Sequence, residues 1–360
     1  MGMKVCGSDG MVVVALRNPS PPRGAADMSS VTVFVGLDYH QAFVQACIMD
    51  AEGRVLSNRK CANSAAALLE AVEPYGPLVA AAIESCCGAA DLAEELVAGG
   101  WQVSLAHAGY VHKVKQSPDK TDWSDARLLA DLLRVGYLPK VWLPPAGLRQ
   151  LRHVVRHRQQ LAQARRNAKL RVTALLRAER VEFTGSRWTK SWIQAVRTGA
   201  ALGEQGRWVV NQLLDEIDHL QRRIAVVEER LEALTADDPF VAALRNLNGI
   251  GLVTAVTLRA ELGTMSRFRS GKQVARFCGL TPRNASSGLK QADAGLIKAG
   301  NAALRALLIE AAHRLMRHDP RWHQLGLTLR LRGKPGSVAA AAVANRWVRW
   351  LYHQLLPLAA

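Results

Sequence analysis

No stretch of this 360-residue chain approaches eighteen uninterrupted apolar residues, so a membrane-spanning helix is not expected. Cysteine is sparse and scattered. Cys6, Cys47, Cys61, Cys86, Cys87 and Cys278 include no C-x-x-C pair, which argues against both a zinc site and a disulfide framework. A secretory signal is also lacking, and a reducing cytosol is the expected compartment. Acids are outnumbered: 30 Asp and Glu stand against 47 Lys and Arg, giving a net charge of +17 and a pI of about 10.1. Such a balance suggests a polyanionic partner, either nucleic acid or an acidic membrane surface.

With 49% hydrophobic residues, the chain is long enough for two or three domains with cores of their own. Residues 1–30 stand apart, rich in Gly, Pro and Ser. Their apolar run Met11-Val12-Val13-Val14-Ala15-Leu16 is too short for a signal core. A disordered tail and an upstream start codon, with Met28 as the true start, are both open readings.

From Val31 the pattern turns to β. Apolar runs at 31–37, 42–49, 55–60, 78–83 and 101–106 read as five strands, and 64–72 and 89–98 as helices. Three strands joined by hairpins followed by β-α-β-α-β is the order of a ribonuclease H-like fold, an α/β domain with a mixed sheet and helices on both faces.

Four acids sit at telling places in that order. Asp38 ends the first strand and Glu84 the fourth, while Asp122 and Asp125 follow the fifth at the start of an amphipathic helix. Sites in open α/β sheets form outside the carboxyl ends of strands. Each acid alone has a plainer reading: Asp38 as a turn residue, Glu84 as a cap, the aspartates as anions favoured by a helix N-terminus. Together they form a set that would hold two divalent cations, Mg²⁺ or Mn²⁺, for phosphoryl transfer.

After Pro144-Pro145 a helical stretch runs from 148 to about 180. Its non-apolar positions include Arg149, Arg152, Arg156, Arg158, Arg165, Arg166, Lys169 and Arg171, and Glu179 is its only acid. A solvated face would mix signs, so this one reads as a phosphate-tracking surface. Farther on, Val210, Leu213, Ile217, Leu220, Ile224, Val227, Leu231 and Leu234 alternate spacings of three and four, a heptad seam. A helix packed within the subunit gives the same pattern; a coiled-coil contact that dimerises the chain is the expectation.

Asp237-Asp238-Pro239 opens a last, mostly helical region. Leu247-Asn248-Gly249-Ile250-Gly251 resembles a helix-hairpin-helix turn, where Gly249 and Gly251 would let backbone amides approach a phosphate. A loop from Gly279-Leu280-Thr281-Pro282-Arg283 to Ser286-Ser287-Gly288 interrupts two helices, with a further polar stretch before Leu296-Ile297-Lys298-Ala299-Gly300-Asn301 starts a helix over 302–315.

The chain resembles the insertion-sequence transposases of the DEDD class (the IS one-ten type), kin of the Piv DNA invertase. The matching pieces are Gly36-Leu37-Asp38, Ile83-Glu84, Lys120-Thr121-Asp122-Trp123-Ser124-Asp125-Ala126, Asn248-Gly249-Ile250-Gly251, Gly279-Leu280-Thr281-Pro282 with Ser287-Gly288, and Ile297-Lys298-Ala299-Gly300-Asn301. They occur in the family's order and cover the chain from about Val31 onward.

The resemblance implies a RuvC-like domain over 31–145, a basic helix and coiled-coil region over 146–236, and a C-terminal transposase domain over 237–360. It implies that Asp38, Glu84, Asp122 and Asp125 bind Mg²⁺, and that Ser287, directly before Gly288, is the nucleophile, with Ser286 its adjacent competitor. Phosphate contacts are expected from the arginines named above and from Lys169, Gly249, Gly251, Arg283 and Lys298. Members recombine double-stranded donor and target DNA through a covalent serine–DNA intermediate. A structured RNA from the element guides them, and they work as homodimers that assemble into tetramers. No His lies beside Ser287, so its activation would fall to the acidic site, built within one subunit or across two. Delegating sequence choice to base pairing explains why no helix-turn-helix or zinc finger is recognisable.

Overall fold

The computed structural model describes residues 33–76, 79–114, 121–182, 184–199, 201–284, 293–297 and 300–359. Ser286, Ser287 and Lys298 lie outside them, as do Lys120 and residues 1–30. The chain divides into two units, one ending at Leu143 and the other starting at Pro144.

The first unit is built on β1 (Val33–Tyr39), β2 (Phe43–Met49), β3 (Val55–Ala62), α1 (Ala65–Val72), β4 (Val79–Glu84), α2 (Ala89–Ala98), β5 (Gln102–Ala106), α3 (Ala108–Val114), α4 (Asp122–Arg134) and β6 (Lys140–Val141). Its six strands run in the order β3-β2-β1-β4-β5-β6. β1 pairs antiparallel with β2 and parallel with β4, and β4 is parallel to β5, so the sheet is mixed. Period-two alternation decides what each face buries. Val33, Val35 and Leu37 pack with Leu68, Leu92 and Leu96 of α1 and α2. Phe34, Ala80 and Ala82 face the other way, onto Leu129, Leu132 and Leu133 of α4.

The contact between β1 and α4 is unusually close. A Cβ on Gly36 would stand 1.9 Å from the Ala126 carbonyl oxygen and 2.5 Å from the Ala130 nitrogen. Only glycine lets the helix lie this near the sheet, where small Ala126 and Ala130 pack with Cys47 and Met49.

The strands differ from the sequence expectation at their ends. β1 continues through Asp38, which pairs in register with Gln45, and β4 continues through Glu84, opposite Ala106. Asp38 is therefore a strand residue rather than a turn residue, and Glu84 is the last residue of its strand, as expected. α3 and β6 had no sequence signal, being short and without apolar periodicity.

The second unit comprises α5 (Ala146–Ala178), α6 (Lys190–Thr198), α7 (Glu204–Leu234), α8 (Pro239–Arg245), α9 (Leu252–Leu262), α10 (Gly271–Phe277), β7 (Pro282–Asn284), β8 (Asp293–Leu296), α11 (Ala302–His318), α12 (Pro320–Leu331) and α13 (Gly336–Leu355). α5 and α7 form an antiparallel pair. Ala168, Val172 and Leu176 meet Val210, Leu213 and Ile217; Leu161 meets Leu220 and Ile224; Leu151 and Val155 share a cluster with Leu231. The heptad seam is thus filled over most of its length by α5 of the same chain, and this corrects the expectation that it forms a dimer contact: Val210, Leu213 and Ile224 are already buried in the single subunit, while Leu234 at its end is exposed. The remaining helices enclose one large core around Trp347, Leu244, Leu258 and Leu308. The polar stretch expected after Pro282 is bounded by a two-stranded antiparallel ribbon, β7 with β8.

Candidate functional site

The acidic residues reach one another through three local features. Asp38 shares the face of Phe34 and Gly36, so it points toward α4; Glu84 shares the face of Ala80 and Ala82, one strand away, with Leu37 and Ile83 in register. α4 is started by Thr121, whose side chain accepts from the Ser124 N–H, with the Ser124 hydroxyl returning to the Thr121 backbone. This box fixes Asp122 and Asp125 in the first turn, three residues apart on one side.

Asp38, Asp122 and His40 come together, with one candidate ligand atom from each lying within 4.8 Å of the others. His40 bridges the carboxylates: its Nε2 is 3.2 Å from Asp38 Oδ2 and 3.3 Å from Asp122 Oδ1. Lys60 Nζ stands 3.8 Å from Asp122 Oδ2 and lies over the Phe43 ring, on which His40 stacks. Burial pushes the Asp38 carboxyl above its ordinary range; His40 pulls it down, and Asp125 and Asp122 push it up again. Beside them, burial is the main cause that raises the Cys86 thiol. A hydrogen bond with the Ala89 backbone opposes it, while the charges of Glu84, Cys87 and Asp38 add to it. Among the described residues the ligand cluster thus joins Asp38 and Asp122 with His40, while Glu84 and Asp125 stand outside it.

This donor set fits a hard divalent cation. The half-buried carboxylates repel, and the places where a positive charge would relieve them are held by the His40 ring and the Lys60 ammonium. Sequence reasoning missed His40. The available signal was its position two residues after Asp38, in the turn that leads from β1 into β2.

The basic residues of α5 divide into two groups. Arg149 donates to the Pro144 carbonyl, Arg152 to the carbonyls of Ala260 and Glu261, and Arg158 to Glu228 of α7 at 2.6 Å. Arg156 pairs with buried Glu261 at 3.4 Å, and Arg165 bonds to Gln221. These five are engaged within the chain, which corrects the reading of the whole helix as a phosphate surface; the mixed charges of α7 are partly their counter-ions. Arg166 and Arg171 are exposed, and half-buried Lys169 lies over the Trp188 ring. Gly249 has φ +78° in the turn between α8 and α9, and its carbonyl accepts from Arg314. Gly251 starts α9 with open space around it, and Arg283 is exposed on β7.

Comparison with known proteins now adds to this geometry. A family model of the DEDD transposases of IS110 elements matches residues 35–179, and a second, described as the transposase IS116/IS110/IS902 family, matches residues 241–326. The first span holds all four acids, and the second the Gly249 turn and Ser287. A protein of Sinorhizobium fredii named as a transposase is 33% identical over 210 residues, 56% of this chain and 49% of that protein. The transposase for insertion sequence element IS1111A of Coxiella burnetii is 26% identical over 326 residues, 88% of each chain. A family 20 transposase of Pseudomonas aeruginosa is 30% identical over 286 residues, 75% of this chain and 82% of that one. This chain therefore belongs to the IS110 family of insertion-sequence transposases, a DNA transposase whose acidic cluster lies at the sheet's carboxyl edge.

Proposed function

We propose that this transposase cuts and rejoins DNA by transesterification, with Asp38, Glu84, Asp122 and Asp125 as the metal-holding acids and Ser287 as the nucleophile. The Ser287 hydroxyl gives up its proton to a base, and its Oγ attacks a backbone phosphorus. The P–O ester bond of the strand breaks, and the departing oxygen takes a proton to become a free hydroxyl. One phosphate ester replaces another, so the covalent serine–DNA bond can be reversed by a hydroxyl of a second strand without an energy source. Mg²⁺ or Mn²⁺ in the acidic site would supply charge neutralisation for the phosphate and the leaving oxygen. Asp38 and Asp122 would hold it from the sheet edge and the start of α4, with His40 placed between them. Donor and target DNA, a structured guide RNA and a homodimer that assembles into a tetramer are the partners proposed, with 31–145 as the RuvC-like domain, 146–236 as the basic and coiled region and 237–360 as the serine-bearing domain. Exposed Arg166, Arg171 and Arg283, together with Lys169, Lys298 and the Gly249–Gly251 turn, are proposed to meet phosphates.

The observation that carries this reading is the meeting of Asp38, His40 and Asp122 within a chain of this family. Its test is metal-dependent cleavage of labelled element-end DNA by the protein with its flanking non-coding RNA. Asp122→Asn is expected to lower cleavage by at least about a thousandfold, the scale of losing a main electrostatic stabiliser. Cleavage that persists in Asp122→Asn would overturn the role of the acidic site.

A further inference from the structure

α13 carries a stripe of exposed cationic residues beside its core-facing side, with Trp350 partly buried against the core between them. Arg346, Arg349, Trp350 and His353 recur at helical spacing on one side, while Val343, Ala344, Trp347 and Leu351 are buried on the other. Arg321 and Trp322 from the first turn of α12 and Lys272 from α10 complete the walls of a cavity of about 830 Å³. α10 reaches α13 closely because residue 271 is glycine: a Cβ there would lie 2.6 Å from the Arg349 carbonyl oxygen.

This cavity differs from a general basic surface in its charge and in its shape. Lys272, Arg321, Arg346 and Arg349 have no carboxylate partner among the described residues. Beyond Glu310 the sequence holds one acid, Asp319, and its carboxylate is engaged as the cap of α12, accepting from the Arg321 and Trp322 N–H groups. The site is also concave and aromatic. The Arg321 guanidinium lies 4.8 Å from the Trp322 ring centre and 5.5 Å from that of Trp350, and the two rings are 6.1 Å apart at 69°. A duplex hides its base faces in the stack, so rings and guanidinium planes in a concavity are open only to an unpaired base.

We propose that this cavity binds an unpaired nucleotide of a single-stranded nucleic acid. Its base stacks on Trp350 and the Arg321 plane, and the flanking phosphates meet Arg346, Arg349 and Lys272. The proposal rests on the reading of the chain as a nucleic-acid-processing enzyme and names a contact separate from the acidic site. The experiment measures fluorescence anisotropy of short labelled oligo-uridylate, oligo-thymidylate and blunt DNA duplex on the full-length protein across a salt series. Arg346→Ala with Arg349→Ala is expected to weaken single-strand binding about tenfold or more, and to flatten its salt slope by roughly one and a half, from about 0.7 for each phosphate contact. Trp350→Leu is expected to weaken it by a similar factor, as loss of one stacked base does, while Trp350→Phe keeps the ring face and binds like the parent. Duplex affinity is expected to stay within about twofold throughout. Tighter binding of the uridylate assigns the occupant to RNA, and of the thymidylate to displaced DNA. Single-strand binding unchanged in the double variant, or duplex binding lost equally, would overturn the proposal. DNA cleavage measured in parallel separates the two readings: a parent that binds single strands through this cavity but does not cleave overturns the proposed catalysis alone.

Discussion

Asp38 is the residue on which the site's electrostatics concentrate. Its carboxyl is harder to ionise in the folded chain than in the unfolded one, chiefly through burial and also through the two aspartates of α4. Well below the ordinary value of 3.8 both states keep the proton, and nothing is lost. As pH rises from that value through the raised folded one, folding loses stability, and at neutral pH the full cost is present. Asp38→Asn is therefore expected to melt at a higher temperature than the parent in metal-free buffer near pH 7, with the gap closing below pH about 4. His40→Ala, which removes the group holding Asp38 down, is expected to melt lower at neutral pH. Added Mg²⁺ or Mn²⁺ should stabilise the parent and fail to stabilise Asp38→Asn. Thermal unfolding with and without EDTA reads all three. A parent indifferent to metal, or an Asp38→Asn variant that melts lower without it, would contradict the charge crowding described.

At the scale of elements, α5 shows how a basic helix divides between structure and binding. Arg152 and Arg267 turn their guanidinium groups onto the carbonyls that end α9, where burial is the main cause lowering both and takes Arg267 to about 10. Arg152→Ala leaves the Ala260 carbonyl without its side-chain donor, while Arg267 still donates to Glu261 and Leu262, and is expected to cost about 2 kcal/mol of stability. Arg171→Ala is expected to leave stability unchanged and to reduce the salt slope of DNA binding by about one. Chemical denaturation and salt-dependent binding of the two variants check the division; a stability loss in Arg171→Ala of the same size would contradict it. The sequence told these residues apart poorly because a helix surface records charge but not what faces it. The glutamates of α7 and the carbonyls of α9 that meet α5 are many residues away. The sheet was easier to read. Its apolar runs are short, bounded by turns, and end in acids, so the strands and the acids at their ends were legible. The approach of Asp122 to Asp38 depends on Gly36 admitting α4, and His40 joins from the turn after β1, neither of which composition or apolar periodicity announces. α13's cationic stripe was not read from the sequence, and its meaning needed Trp322, Arg321 and Lys272 brought beside it.

For the whole molecule, the first matched family segment runs past the end of the first unit through α5, while the second lies within the unit beginning at Pro144. The acidic cluster belongs to the unit ending at Leu143, and the Gly249 turn and cationic cavity to the unit beginning at Pro144. The heptad pattern over 210–234 is explained for most of its length by packing against α5. In the proposed reaction an acidic site and a serine distant from it in sequence serve one strand exchange. The most direct measurement looks for a denaturant-resistant protein–DNA adduct. It uses the protein with its flanking non-coding RNA, labelled donor and target DNA, and Mg²⁺, with peptide mapping of the attachment point. The account predicts an adduct at Ser287 in the parent and none in Ser287→Ala or Asp122→Ala. Cleavage without an adduct, surviving in Ser287→Ala, would contradict it and leave a metal-dependent nuclease that uses water.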